Sequence, residues 1–493
     1  MKHLSLFKQS SLYSIGNFII SIIGIITFPI LTKNLTVNEY GIVGLLTVTI
    51  GLVTSLCKIG LQHSVIRFFS EYDYSTFISN TLITTLITTL SVALGVTLLG
   101  FTLSYFVDSV LFEVNFLVCI AIIAALGSYQ SFIYKVLVAK QKSVAMTGLS
   151  IIKKILSTVF IIGIILVISG TAIWFLYATL IAEVLFTCFI TVWCLQVKFF
   201  EGFSLKATDK TVVTALLTFA IPMMGFEIAN MVHAFIDRFF IEIFLSKKDL
   251  GLYSAPYNMT TIINSVVLGG ITTAIVPAYL KIWNTEGKAA TESLLSSITS
   301  LFLLFLPAVI AGLYCVGEPL IGFLATDEYK QYAFLLPIIA SGVFLHGTNV
   351  IFAAGLQINK DSKKMLQYVV ESMLINTILN LIFIPIFGII AAAVVTVISY
   401  LWMSCRYYWA GKKTISIKLN WKLLTRSIMY ACVMVAVTMQ IKLSSDFLLL
   451  LSRATLGVFV FLILAFIFET HLRKELLSFL RHRFNFGRNS NSH

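Results

Sequence analysis

The feature that most constrains this chain is a succession of apolar runs, each long enough to cross a bilayer and each ended by a short polar turn. A helical crossing needs about 20 mostly apolar residues, and in hydrocarbon only elements that satisfy their own backbone hydrogen bonds persist. The runs fall near 12–31, 40–61, 79–106, 114–136, 146–169, 172–195, 213–244 and 250–276, then near 294–316, 332–356, 366–386, 389–408, 424–441 and 447–468. Composition agrees. Hydrophobic residues make up 58% of the 493 and charged ones 12%, against about 45–50% and 25% in soluble domains. A disordered chain, a collagen, a disulfide scaffold and a cytosolic enzyme are thereby excluded. The chain reads as an all-α membrane protein of about fourteen transmembrane helices.

The run at 12–31 is too long for the apolar region of a signal peptide and lacks a small-x-small cleavage site, so it reads as a retained first span. Cys57, Cys119, Cys188, Cys194, Cys315, Cys405 and Cys432 all lie in apolar runs without a Cys-x-x-Cys pair. That spacing suits neither a disulfide framework nor a zinc site.

An even number of spans puts both termini on one side, and the net charge of +13 then becomes informative through its distribution. With the termini inside, the inner segments and the span ends that abut them carry 24 Lys and Arg, against 5 outside: Lys33, Lys247, Lys248, Lys330 and Lys442. This is the positive-inside bias. It assigns the basic balance to topology and lipid headgroups rather than to nucleic acid. The longest outside loop, about 317–331, is too short for a catalytic domain, and no Walker A, His-Glu-x-x-His or nucleophile-elbow motif occurs. A transporter is expected, not an enzyme, with no cofactor or metal.

The two halves of the chain echo each other. KNLTVNEYGIVG after the first span pairs with IFLSKKDLGLYS after the seventh, aligning Glu39-x-Gly41 with Asp249-x-Gly251 at an offset of 210. AKQKS (139–143) pairs with NKDSK (359–363) at an offset of 220. Parallel repeats of six spans predict two six-helix lobes and a final helix pair. The expected divisions are 1–205, 206–410, 411–470 and a basic cytoplasmic tail at 471–493.

An ionisable group at the bilayer centre costs about 2.5–3.5 kcal/mol, so those that persist tend to face a cavity or a partner. In span 7, Glu227, Met231, Ala234 and Arg238 share one stripe, flanked by Asn230, His233 and Asp237; the polar arc covers about 140° and runs about 16 Å. Span 1 carries a milder version in Ser10, Ser14, Asn17, Ser21 and Gly24, and the 210 offset matches Asn17 to Glu227. Lys58, Lys153 and Lys154 lie near the inner ends of spans 2 and 5, where they either snorkel or join Arg238 in a site for a phosphate or pyrophosphate. Asn17, Ser21, Asn230 and His233 are the candidate sugar-facing groups, although a polar core role also suits His233. Glu183, Glu371 and Arg453 read as buried pairs or interfacial groups. Pro29, Pro222, Pro277, Pro307, Pro337 and Pro385 are expected to interrupt or end spans.

Ile221-Pro222, Asp237-Arg238-Phe239 and Gly251-Leu252-Tyr253-Ser254-Ala255 resemble the seventh-to-eighth-helix region of bacterial polysaccharide flippases. Asn376-x-x-x-Asn380-Leu381, Pro385, Gly388 and Ala391-Ala392-Ala393-x-x-Thr396 resemble their eleventh-to-twelfth-helix region, and LTKNLTVNEYG (31–41) their first outside turn. The chain thus resembles the O-antigen and capsule repeat-unit flippases of the multidrug/oligosaccharidyl-lipid/polysaccharide exporter superfamily. The resemblance implies alternating access in a bacterial cytoplasmic membrane. Its implied substrate is an undecaprenyl-pyrophosphate-linked oligosaccharide, and its implied partners are a polysaccharide polymerase and a chain-length regulator. Cycling driven by H+ or Na+ is expected, with Glu227 and Asp237 as the candidate carriers. A multidrug extruder and a peptidoglycan-precursor flippase are the rival expectations.

Overall fold

The structure, a computed structural model, describes residues 2–106, 109–204 and 207–469, without the side chains of 2–14, 110, 270, 271 and 273. The expected tail at 471–493 and the side chains of Ser10 and Ser14 lie outside the described residues. Among the described residues, fourteen helices are long and apolar enough to span a membrane. They are α1 (Lys2–Asn34), α2 (Val37–Lys58), α4 (Tyr74–Leu103), α5 (Val114–Ala139), α6 (Ser143–Val167), α7 (Ala172–Gln196) and α8 (Lys210–Phe244) in the first part. Next come α9 (Lys247–Thr285), α10 (Lys288–Leu324), α12 (Leu335–Phe352), α14 (Ser362–Phe387), α15 (Ile389–Gly411), α16 (Trp421–Thr438) and α17 (Asp446–Phe468). Three short helices, α3 (Leu61–Phe68), α11 (Asp327–Lys330) and α13 (Ala354–Ile358), join them, α13 completing the crossing begun by α12.

Two expectations change. The stretch 317–324 is not a loop but the end of α10, and α11 covers most of 325–331. Pro29, Pro222, Pro277, Pro307 and Pro385 lie inside helices that run through them rather than ending them. In a packed helical bundle, neighbouring elements hold the segments on either side of such a proline in line.

The repeat is visible in the caps. Helices α1 and α8 end at Asn34 and Phe244, and α2 and α9 begin at Val37 and Lys247. The Thr36 hydroxyl accepts from Glu39 N at 3.3 Å, and the Ser246 hydroxyl accepts from Asp249 N at 3.1 Å. One N-capping arrangement therefore recurs at an offset of 210. The second echo recurs at 219, not 220. Gln141 and Lys360 take left-handed φ values of 56° and 55°. Lys142 N donates to Leu137 O and Asp361 N to Leu356 O, both at 2.9 Å. The residue that enters the left-handed region fixes such a turn, and the resemblance of its side chains misses the register by one.

Neighbour relations recur as well. In the first half α1 packs on α6, α2 on α5, α6 on α7, α4 on α5 and α5 on α7. The second half repeats this as α8 on α14, α9 on α12, α14 on α15, α10 on α12 and α12 on α15. These are two six-helix lobes, and α16 and α17 pack on α10 outside them. Large apolar side chains such as Leu90, Leu94, Leu98, Val458 and Phe459 are exposed at the periphery, as contact with acyl chains requires.

The lobes meet where α2 crosses α9, with α1 against α9 and α8 against α2 on either side. Gly41 and Gly251, the pair matched by the offset, face each other there. A Cβ on Gly251 would lie 2.0 Å from Val37 O, and one on Gly41 2.7 Å from Gly251 N. One difference breaks the symmetry. Helix α2 stops at Lys58 and turns through left-handed Ile59 and Gly60 into α3, whereas α9 continues as helix past Gly269 and Gly270, which the offset matches to them, and on to Thr285.

Candidate functional site

At the end of the crossing where α2 turns back through Ile59 and Gly60, α3 closes against α8. A Cβ on Gly60, at φ 73°, would meet Ala220 O at 2.2 Å, so the corner presses directly on the α8 backbone. The Ser64 hydroxyl donates to Leu216 O at 2.7 Å. About two turns further along α8 from Ala220, Glu227 accepts from Gln62 Nε2, and His63 Nε2 lies 3.3 Å from the same carboxylate oxygen. The other carboxylate oxygen and Gln62 Oε1 are buried without a partner. Lys58, at the end of α2, has Glu227, Lys135 and Lys153 as its charged neighbours. No ion pair or hydrogen bond is formed by the Lys58 side chain among the described residues.

The opposite end is closed by different chemistry. Thr32 and Lys33 of α1 donate to Leu324 O and Phe323 O of α10, both at 3.0 Å. Tyr40 of α2 meets Tyr329 of α11 edge to face, with ring centroids 6.0 Å apart. Asn258 Nδ2 donates to the Tyr40 hydroxyl at 3.1 Å, and its Oδ1 accepts from Arg238 Nη2 at 3.3 Å. Arg238 lies over the Tyr257 ring at 4.3 Å, and adjacent Asp237 accepts from the Tyr253 hydroxyl at 2.5 Å. Both are buried. Asp237 and Arg238 thus sit toward this opposite end of the second lobe, tied through Asn258 to the first.

The remaining candidates divide between lobe interiors and the space between lobes. Lys153 pairs with Glu183 at 2.9 Å and donates to Gln130 at 2.6 Å, while Gln130 donates to Glu183 and Thr187 at 2.8 Å each. That knot joins α5, α6 and α7. His233 lies within the second lobe, 2.9 Å from the Ser399 hydroxyl, with its ring tilted against that of Tyr400 at 4.2 Å between centroids. Asn376 and Asn380 extend this polar ladder along α14: Asn376 donates to Ser399 and Asn380 to Asn376, both at 3.0 Å.

Lys154 is different. It lies about 120° around α6 from the exposed stripe of Ile155, Val159 and Leu166, and no partner to it is found among the described residues. Asn17 stands in the same relation to the exposed Ile15, Phe18, Ile22 and Ile26 of α1, yet is itself exposed. Both therefore face away from lipid. Ser21 is buried and donates to Asn17 O, and Asn230 donates to Phe226 O.

The structure thus brings Lys58 and Glu227 together at one end and Asp237 and Arg238 at the other, and leaves Lys153 and His233 in the lobe interiors. Gln62, His63 and Lys135 were missed by sequence reasoning. Only the corner at Ile59-Gly60 could have signalled that the residues after span 2 fold back.

A family profile described as "Polysaccharide biosynthesis protein" matches residues 6–283, more than half of the chain. The chain belongs to this family. Two relatives share 28% identity with it. One is the probable low-salt glycan biosynthesis flippase Agl15 of Haloferax volcanii, over 175 residues, 35% of this chain and 37% of the relative. The other is the succinoglycan biosynthesis transport protein ExoT of Rhizobium meliloti, over 127 residues, 26% and 25%. The chain spans about a third and a quarter of these relatives. Among solved structures, the lipid II flippase MurJ in an inward closed conformation superposes with a TM-score of 0.74 at 16% identity, covering 94% of this chain and 99% of that one. A MOP-superfamily transporter from Pyrococcus furiosus gives 0.60 at 16%, over 83% and 96%. These likenesses establish the fold: this family member is a multi-pass membrane protein that shares the fold of these solved transporters.

Proposed function

We propose that the chain is a flippase for lipid-linked glycans. It moves undecaprenyl-pyrophosphate-linked oligosaccharide repeat units from the cytoplasmic to the outer leaflet by alternating access, for O-antigen, capsule or exopolysaccharide assembly. The observation that supports this reading is a surplus of cations over acids: Lys58 and Lys154 form no ion pair among the described residues, Lys58 shares Glu227 with Lys135, and Arg238 bonds the neutral Asn258. A pyrophosphate leaving water needs fixed cations, hydroxyl and amide groups such as Asn17 suit sugars, and the polyprenyl tail stays in the bilayer. Membership of a polysaccharide biosynthesis family supports the glycan, and the charge bias of the loops supports cytoplasmic termini in a bacterial inner membrane.

Cycling draws on an H+ or Na+ gradient, about 2.3 kcal/mol per charge at 100 mV, with Glu227 or Asp237 as carrier. A polymerase and a chain-length regulator receive the product. The fold likeness to MurJ favours one alternative, a peptidoglycan-precursor flippase.

Deleting the gene in its host and analysing lipid-linked glycans tests the proposal. Accumulation of undecaprenyl-linked repeat units on the cytoplasmic side with loss of surface polymer is expected, and Lys58→Glu or Arg238→Glu should reproduce it. Accumulated peptidoglycan precursor would favour the alternative. Normal glycans with altered sensitivity to cationic drugs would refute both and point to a multidrug extruder.

A further inference from the structure

The closure between α3 and α8 holds an unusual charge arrangement. Glu227 is the one carboxylate among the charged neighbours of Lys58, and its own neighbours are Lys58, His63 and Lys135. Lys153 nearby is already paired with Glu183. Two lysines and a histidine therefore share a single negative charge. The carboxylate is also incompletely used. Gln62, only 6% exposed, gives its amide N–H to one oxygen, while Glu227 Oε2 and Gln62 Oε1 are buried without partners. A buried acceptor with no donor is costly, so the closed state places an acid in a site built for more negative charge than it supplies.

We infer that Glu227 is an internal stand-in for the substrate's pyrophosphate: in the closed state its carboxylate, held by Gln62 and His63, occupies the anion site at the end of α2 that the incoming ligand takes over. This rests on the proposed pyrophosphate-linked substrate and adds the manner of its admission. A pyrophosphate diester brings about two negative charges and more acceptor oxygens than one carboxylate, so it competes for Lys58, Lys135 and His63. The two anions repel each other. Displacing Glu227 removes the tie of Gln62 and His63 to α8 and leaves the Ser64–Leu216 bond, the Gly60 contact and the edge-to-face pair of Phe68 with Phe219 as the weaker remaining closure. The ligand thus releases the closure that excludes it, and an empty transporter stays shut on the cytoplasmic side.

The full chain, in lipid nanodiscs, is titrated with farnesyl pyrophosphate. Glu227→Gln retains an acceptor for Gln62 but removes the competing charge, and is expected to tighten binding by at least about tenfold. Lys58→Met should weaken binding in either background. As a second readout, Ser131→Cys, which lines the crevice beside Lys58 and Gln62, is labelled with a water-soluble maleimide after Cys188 and Cys432 are changed to serine. Farnesyl pyrophosphate should speed labelling in the parent protein, and Glu227→Gln alone should do the same. Unchanged or weaker binding by Glu227→Gln, with Lys58 dependence intact, overturns the stand-in but leaves the cationic-interface reading in place. Absence of binding to either protein, or binding indifferent to Lys58, overturns both.

Discussion

Replacing Gly251 with alanine tests whether the α2–α9 crossing seals the outer face. The added Cβ would lie 2.0 Å from Val37 O and 2.8 Å from Val37 Cγ1, whereas ordinary contacts of this kind lie at 3.4–4 Å. Raising 2.0 to 3.4 Å requires the helices to part by about 1.4 Å, and the obstructing atom is backbone, so no rotamer change relieves it. Overpacking of this kind costs about 1–3 kcal/mol. With about 1.4 kcal/mol per factor of ten, a cost of about 2 kcal/mol shifts the population about thirtyfold away from any state that keeps this crossing. Spin labels on Lys33 of α1 and Phe323 of α10, which touch across the seam, report the separation by electron–electron distance measurement. Gly251→Ala is expected to populate a longer distance, and Gly148→Ala, where nothing lies within 4 Å of the new Cβ, is not. An unchanged distance distribution in Gly251→Ala, with a stable fold, would refute the assignment of this crossing as the outer seal.

Other expectations rest on particular contacts. Glu183→Ala leaves Lys153 and Gln130 without their carboxylate, and should lower the melting temperature in detergent, with a loss of about 3 kcal/mol; Glu183→Gln should recover part of it. The hydrogen bond from Lys330 to Asp446 holds the lysine amine above its usual pKa and ties α11 to α17. The contribution of a group raised in the folded state is complete below its ordinary pKa and lost as pH rises through the raised value. This tie should therefore persist through neutral and moderately alkaline pH. Limited proteolysis of the 439–445 loop should not change over that range in the parent and should accelerate at all of it in Lys330→Met. Arg238→Lys keeps the charge but gives up the planar face that lies over Tyr257 and the forked donor used on Asn258. Transport should fall well below the parent level, as read by accumulated lipid-linked glycan.

Much of this architecture was legible because it rests on local rules. Hydropathy located the fourteen spans, and the Thr36 and Ser246 caps mark the same helix start in each half, so the 210 offset could be read without coordinates. The second echo slipped by one because similar side chains in AKQKS and NKDSK do not occupy equivalent backbone positions; the left-handed residues Gln141 and Lys360 do. The break after α2 was hidden, since Gly60 and the Gly269 that matches Ile59 both suit a corner and only one half turns there. Site residues were harder. A polar stripe shows which face of α8 seeks a partner but not which partner: Glu227 meets Gln62 across 165 positions, and Lys153 meets Glu183 through a fold-back of two helices. Aliphatic stems of lysine fit lipid, cavity and ion pair alike, so spacing could not separate Lys153 from Lys154.

The corner at Ile59-Gly60 makes the two mouths mechanically unequal. On the outer side, matched glycines from the two lobes abut, so neither lobe can yield without the other, and opening is a rigid-body step. On the inner side, closure hangs on an eight-residue helix carried by one lobe alone. A small hinged element can swing on the timescale of loop motion, nanoseconds to microseconds, whereas a lobe rotation takes microseconds to milliseconds. On the proposed flippase reading, sampling for cargo is then quick and reversible, while delivery is the slow, committed stroke, and turnover is governed by the glycine crossing.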